Sequence, residues 1–353
     1  MALVRVYLLT YRRPSLLKRA LTSLLAQTYR HWVCEVHNDD PDDPGPAAIV
    51  EALHDPRIHY FQHRENLGPV RSFNLAYKGG PEPLLSILED DNWWEPPFLE
   101  KAVETLAANP EATVVWSNLR IWEENQDCSW SDTGRTVWTV NGDQDSAAFS
   151  WPNPIQSTDA IHSQGAMVAR SAVSRRALVP EQTPLSIIEH LRERLLPGRW
   201  VLLKVPLANF AVTRQTARTS DRGEWACAQA LVAASYFAGS RPAPHEIDGI
   251  WQTLRNARPP STSALFVVAL SGVSPLAILR FSTLSDWTRF LAGAIRHPVV
   301  LARAMRYRHR FPKVWEACLR GAQARSRERC HQETPRIFTK RVGDLQAPKP
   351  QAP

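Results

Sequence analysis

Over about the first two-thirds of the chain, apolar residues follow two alternating rhythms. Short runs such as LVRVYLL at 3–9, WVCEVH at 32–37, RIHYFQ at 57–62 and LLSIL at 84–88 are β-branched or aromatic and bounded by turn residues, so they predict strands. Between them the period lengthens. After Pro14 and Ser15, the stretch SLLKRALTSLLAQT spaces Leu16, Leu17, Ala20, Leu21, Leu24 and Leu25 three and four apart, as on a helix with one buried face. Helices are expected again at 69–78 and 96–108, before a strand within TVVWSNLRIW. Strands alternating with helices predict an α/β fold with a mostly parallel sheet covered by helices. Ligands of such sheets gather outside the carboxyl ends of the strands. The polar clusters Thr10–Arg13, Asn38–Asp43 and Glu89–Asn92 all fall at those ends.

Residues 123–160 are polar, Trp-rich and punctuated by Gly, Asn and Pro, which predicts a long loop over a site. Order is expected to return with HSQGAMVAR, a helix around 184–196 and a strand in WVLLKVPLANFAV. From about 224 the pattern is helical and Arg-rich. The division expected is therefore an α/β domain at 1–222, a helical C-terminal region at 223–340 and a frayed Pro-rich tail at 341–353. The apolar segment 264–279 is shorter than the roughly 20 residues of a spanning helix and carries Ser271, Gly272, Ser274 and Pro275, so a buried or interfacial helical hairpin is expected.

Charge separates the two parts. Residues 280–353 hold 16 Lys/Arg against 5 Asp/Glu, an excess larger than the net +7 of the whole chain, which leaves the remainder at −4. An acidic front part argues against nucleic acid as its ligand. Cys34, Cys128, Cys227, Cys318 and Cys330 are odd in number and scattered, without a C-x-x-C pair, so neither a zinc knuckle nor a disulfide framework is expected. With an N-terminal apolar run too short for a secretory signal, the expected setting is cytoplasmic. A peripheral place at the inner membrane face is an alternative, through 264–279 and Arg303, Arg306, Arg308 and Arg310.

The acidic turn carries the chemistry. Carboxylates crowded at Glu89, Asp90 and Asp91 repel one another, at a cost that a divalent cation removes. Oxygen-only donors suit Mg²⁺ or Mn²⁺ shared with a diphosphate. Taken alone the triplet better suits a solvated turn before a helix; its place at a strand end beside two other polar clusters favours the ligand site instead.

Four segments, in order over residues 3–103, resemble family 2 glycosyltransferases of the GT-A fold: LVRVYLLTYRRPSLLKRALTSLLAQTY, VHNDDPDD, RENLGPVRSFNLAY and ILEDDNWWEPPFLEKAV. The resemblance implies a Rossmann-like GT-A domain that transfers a sugar from a nucleoside diphosphate donor to a hydroxyl acceptor. It also implies a UDP-sugar, the family's commonest donor, a glycan or lipid-linked acceptor, and Mn²⁺ or Mg²⁺ as cofactor. It places Thr10, Tyr11 and Arg13 around the base and ribose and Asp39 on the nucleobase edge. Asn66, Gly68 and Arg71 fall under the nucleotide, and Glu89 and Asp90 on the donor side. Asp91 is the first metal ligand, with Glu89 second. Glu89 departs from the family's usual aspartate but keeps the carboxylate. The plain alternatives are a simple turn at Asn66–Gly68 and a surface arginine at Arg71.

An inverting transferase also needs a base for the acceptor hydroxyl. Where the family has Glu-Asp at the start of a late helix, this chain has Glu189-His190, and either side chain can do general-base work. VTRQTARTS lacks the histidine of the family's Arg-x-His. HSQGAMVAR resembles the segment on the acceptor side, where a glycine lets the substrate approach, so His162 and Gln164 are candidate acceptor or phosphate contacts, with a buried structural histidine the better reading of His162. The irregular base region leaves a second reading, a glycosyltransferase-like scaffold that binds nucleotide sugar and turns over poorly.

Overall fold

The first predicted strand lies in the middle of a parallel layer. The computed structural model describes residues 2–140, 144–214, 221–257, 260–273, 275–327 and 338–340. Strands β1 (Val4–Thr10), β2 (Trp32–Asn38), β3 (Ile58–Gln62) and β4 (Leu84–Glu89) run parallel in the order β3-β2-β1-β4. Helices α1 (Pro14–Leu25), α2 (Gly45–Leu53) and α3 (Gly68–Tyr77) connect them. Pro14 opens α1 where no backbone donor is lost. Leu17, Ala20, Leu21 and Leu24 are buried against the sheet, while Lys18 and Thr22 face solvent. The register pairs Thr10 with Asn38 and Leu9 with Glu89, so the three polar clusters meet at one edge.

Beyond the acidic turn come β5 (Trp93–Trp94), α4 (Phe98–Ala108) and β6 (Ala112–Glu124). The polar stretch expected to be a loop instead contains β7 (Trp130–Thr136), β8 (Trp138–Val140) and β9 (Ser146–Phe149). Its apolar residues are sparse but large. Trp138 and Phe149 pack with Trp116 of β6 at ring separations of 5.6–6.5 Å, which gives short strands a buried side. β10 (Met167–Arg170) enters antiparallel between β4 and β6, followed by the single turn α5 (Ser171–Ser174), α6 (Ile188–Leu195) and β11 (Arg199–Val212). The result is a ten-stranded mixed sheet, β3-β2-β1-β4-β10-β6-β11-β5, with β7 on β6 and β9 on β11.

Asp221 caps α7 (Arg222–Ser240), accepting from the Gly223 and Glu224 amides. Then follow α8 (Pro244–Asn256), α9 (Ser263–Leu270), α10 (Pro275–Leu279), α11 (Leu284–Arg296), α12 (Pro298–Met305), α13 (Tyr307–Arg310) and α14 (Pro312–Arg327), and β12 (Phe338–Lys340) pairs with β8. Segment 264–279 forms the expected hairpin, α9 and α10, and buries Leu265, Phe266 and Val268. Among the described residues no helix is long and apolar enough to cross a membrane. Cys34, Cys128, Cys227 and Cys318 are free thiols. Residues 215–220 of VTRQTARTS and the tail at 341–353 lie outside the described residues.

The helical layer is packed onto the sheet domain. Its core includes Trp151, Val179, Ile187 and Leu191 alongside Leu231, Trp251, Phe266 and Tyr307. Helices α7 and α14 approach so closely that a Cβ on Gly239 would stand 2.3 Å from the Ala322 Cβ. Arg194 of α6, fully buried, donates to Val232 O (2.8 Å), to Ser235 Oγ and to Gln156 O (3.0 Å), tying α6 to α7.

Candidate functional site

The turn after β4 extends the β1–β4 ladder by one bond, Asp90 N to Leu9 O (3.2 Å). Asp90 is fully buried, and its carboxylate accepts from Thr10 Oγ1 (2.9 Å) and Tyr11 N (3.3 Å). These bonds fasten the two strand ends together, so both Asp90 and the buried Thr10 serve the frame of the site in this arrangement. Arg13, at the mouth of α1, reaches Asp90 Oδ1 at 2.7 Å and Asp91 Oδ2 at 2.6 Å. Glu89 accepts from Asn92 Nδ2 (2.8 Å), while Asn92 Oδ1 takes the Ala211 amide of β11 (3.0 Å). Burial pushes the Glu89 carboxyl up to about 8, helped by the charges of Asp91 and Glu189, and burial pushes Asp90 up to about 7 against the pull of Arg13.

Gln27 explains how the turn is held from behind. This buried side chain donates to Glu95 O (2.9 Å) and accepts the Leu99 amide (3.0 Å), so the end of α1 grips the chain between β5 and α4. Arg19 grips it from the side. Its Nη2 donates to Asp91 O (2.7 Å), and its guanidinium lies 3.9 Å from the Trp93 ring centroid and 4.2 Å from that of Trp130. Burial lowers its pKa to about 10.

At the second strand end, Asp39 is buried and already well supplied. Oδ1 accepts from His63 Nδ1 (3.0 Å) and Leu67 N (2.7 Å), and Oδ2 from Gly68 N (3.0 Å). Three of about four acceptor positions of a carboxylate are thus engaged, leaving room for one further donor. Asn66 Oδ1 also takes the Gly68 amide (2.7 Å), closing the plain turn. Gly68, at φ +72°, has the left-handed backbone that favours glycine, with open space where a Cβ would stand. Arg71 pairs on the surface with Glu65 (3.0 Å), and Tyr11 is exposed beneath Arg12.

The late helix divides its two candidates. The charge of Glu189 is among the causes that raise the Glu89 pKa, so the two are within electrostatic reach of one another. His190 is buried and turned toward the loop before β10, with Nε2 3.3 Å from Thr158 O and 3.7 Å from Asp159 Oδ1. His162 is buried as well, its Nδ1 2.8 Å from Glu193 Oε1, and so belongs to the frame around α6. Gln164 begins the short 3₁₀ turn 164–166 that leads into β10. Its neighbour Gly165 faces the turn directly: an added Cβ would meet Glu89 Oε2 at 2.7 Å and Asn92 Nδ2 at 2.8 Å.

Sequence patterns did not single out Arg19 or His63. Gln27 carried a signal as part of the Gln-Thr-Tyr that closes α1, Asn92 as the end of the Glu89–Asn92 cluster, and Gly165 as the glycine of HSQGAMVAR.

Glu89 and Asp91 offer hard oxygen donors whose burial and mutual repulsion suit a divalent cation. Among the described residues no three His, Cys, Asp or Glu side chains are arranged to hold a metal by themselves.

Residues 6–161, which contain this edge of the sheet, match a family described as glycosyl transferase family 2. Through this segment, less than half of its length, the chain is similar to glycosyl transferase family 2. Protein CgeD of Bacillus subtilis is 29% identical over 130 residues, covering 35% of this chain and 30% of that protein. An uncharacterized glycosyltransferase of Rickettsia bellii is 27% identical over 124 residues, covering 35% of this chain and 18% of that protein. This chain therefore spans less than a third of either relative. S. aureus TarS shares the fold at TM-score 0.58 and 14% identity, over 86% of this chain and 54% of TarS. TarS 1–349 in complex with UDP-GlcNAc gives 0.54 at 13% identity, over 94% of this chain and 93% of that one. The GT-A likeness thus extends past the family 2 segment into the helices.

Proposed function

We propose that this protein is a family 2 member and transfers a sugar from a nucleoside diphosphate donor, UDP favoured, to a hydroxyl of a glycan or lipid-linked acceptor, with inversion and with bound Mn²⁺ or Mg²⁺. The observation that carries the reading is the acidic turn Glu89–Asp91 at the carboxyl edge of the sheet, with Arg13 against Asp90 and Asp91 and the charge of Glu189 felt at Glu89. The complex of TarS 1–349 with UDP-GlcNAc supports the donor class.

Glu89 and Asp91 would hold the cation, which when bound supplies a Lewis acid beside the leaving diphosphate. Arg13 adds fixed positive charge at the same edge. Asp39, with one acceptor position open, takes a donor from the base. Glu189 accepts the acceptor's proton as the hydroxyl oxygen bonds to the anomeric carbon and the carbon–oxygen bond to the diphosphate breaks. The walls of the site hold donor and acceptor in line.

The test is a thermal-shift series with UDP, GDP, dTDP and CDP, each with and without Mn²⁺, on the natural protein and on Asp91→Asn. Ligand at a hundred times its Kd adds about 2.7 kcal/mol of stability. UDP with Mn²⁺ is expected to give the largest shift, and Asp91→Asn to lose its cation-dependent part. If Asp91→Asn retains both sugar transfer and cation-linked nucleotide affinity, the reading is wrong.

A further inference from the structure

We propose that α11 and the start of α12 form a docking surface for an anionic lipid membrane. The segment that sequence alone nominated, 264–279, is not that surface, since Leu265, Phe266, Val267, Val268 and Ile278 are buried in the helical core. The next helix is the opposite case. Leu284 is 80% exposed, Leu291 50% and Ile295 81%, with Val299 of α12 at 64%. Few large apolar side chains elsewhere in the described residues are exposed, and none of them beyond 53%.

These residues are arranged, not scattered. Leu284, Leu291 and Ile295 fall seven and four residues apart, on one face of α11, with the polar Thr288 between the first two. The other side of the helix is held in place. Phe290 stacks on Phe266 at 4.6 Å, and buried Asp286 pairs with Arg255 (2.8 Å) and accepts from Thr283 Oγ1 (2.7 Å). The apolar stripe is therefore presented by a fixed helix.

Charge identifies the occupant. Residues 280–315 contain seven arginines and Lys313 against a single acid, the buried Asp286. Arg303 is paired with Asp221 (2.9 Å), and Arg310 lies 3.8 Å from Glu224. Arg289 and Arg296, both exposed on α11, make no ion pair among the described residues. An apolar stripe beside unpaired arginines suits an interfacial helix lying in the headgroup layer of an acidic bilayer. A second copy of the chain fits less well, because stacking this face on itself would oppose the Arg289 and Arg296 rows.

The experiment is co-sedimentation of the full chain with vesicles of phosphatidylcholine alone and with the same vesicles carrying phosphatidylserine. Binding is expected only with phosphatidylserine and should weaken as salt rises. Arg289→Gln with Arg296→Gln should cut partitioning roughly five-fold for each arginine removed. Leu291→Ser with Ile295→Ser should cut it further while leaving charge unchanged. All four positions are exposed, so circular dichroism and melting temperature should match the natural protein. If a variant does not fold, the lipid-charge and salt series on the natural protein decide. Three results would overturn the proposal: no vesicle binding, equal binding to both vesicle types, or full binding by both double variants. A dimer in sedimentation equilibrium that Leu291→Ser with Ile295→Ser dissociates would overturn it too, by assigning the face to a second copy.

Discussion

Replacing Glu89 with glutamine is expected to stabilise the ligand-free protein at pH 8. The Glu89 carboxyl stands at about 8 in the folded chain against 4.5 for an ordinary glutamate, because burial and the charges of Asp91 and Glu189 penalise its ionised form. Between those values the folded protein keeps a proton that the unfolded chain has released. The folded state then binds more protons, so stability falls as pH rises through that window. At about 1.4 kcal/mol per pH unit the full shift amounts to about 5 kcal/mol. Discounting by half for solvent at the partly exposed turn leaves about 2 kcal/mol. The glutamine of Glu89→Gln would carry no charge and would still accept from Asn92 Nδ2, which lies 2.8 Å from Glu89 Oε2. Urea unfolding without divalent cation, at pH 5 and pH 8, should give coincident curves at the lower pH and a more stable variant at the higher. An equal gap at both values, or a less stable variant at pH 8, would refute the electrostatic account.

Glu189→Gln should lower kcat by roughly 10²–10⁴ while leaving nucleotide affinity in place, as loss of a general base does; steady-state rates beside calorimetric UDP binding separate the two. Gly165→Ala places a methyl 2.7 Å from Glu89 Oε2, so it should weaken cation-linked nucleotide binding and cost about 1–3 kcal/mol of stability in urea unfolding. Gln27→Leu leaves Glu95 O and the Leu99 amide without their partner and should cost about 2 kcal/mol, measured the same way.

Strands β1 to β4 and helix α1 were legible because their burial pattern is local: a continuous or period-3.6 run states its own face. The three strand-end clusters were legible for the same reason. β7 and β9 were not: β7 folds back on the end of β6 with a polar sequence that shows no buried face, and β9 is stabilised by the distant strand β11 and by rings such as Trp116 that no local period records. At the site, residue type pointed to carboxylates, but the division of labour among them depends on packing. Asp90 differs from Asp91 because Thr10 and Tyr11 close over it. Glu189 and His190 are adjacent in sequence yet differ in surroundings, the charge of Glu189 acting on Glu89 while His190 faces the Thr158–Asp159 loop. Asp39 illustrates the opposite limit. Its acidic turn was evident, but the backbone amides of Leu67 and Gly68 that claim its oxygens carry no side-chain signature.

The anchoring of α6 by Arg194 has a practical bearing on any attempt to shorten the protein. Removing everything after 222 would strip Val232 O and Ser235 from a guanidinium that sits wholly inside, stranding a cation in an apolar breach. The helix bearing Glu189 would lose its backing at the same stroke. The C-terminal helices are thus a supporting wall for the helix that carries Glu189, and a fragment ending at 222 should be less stable than the whole chain.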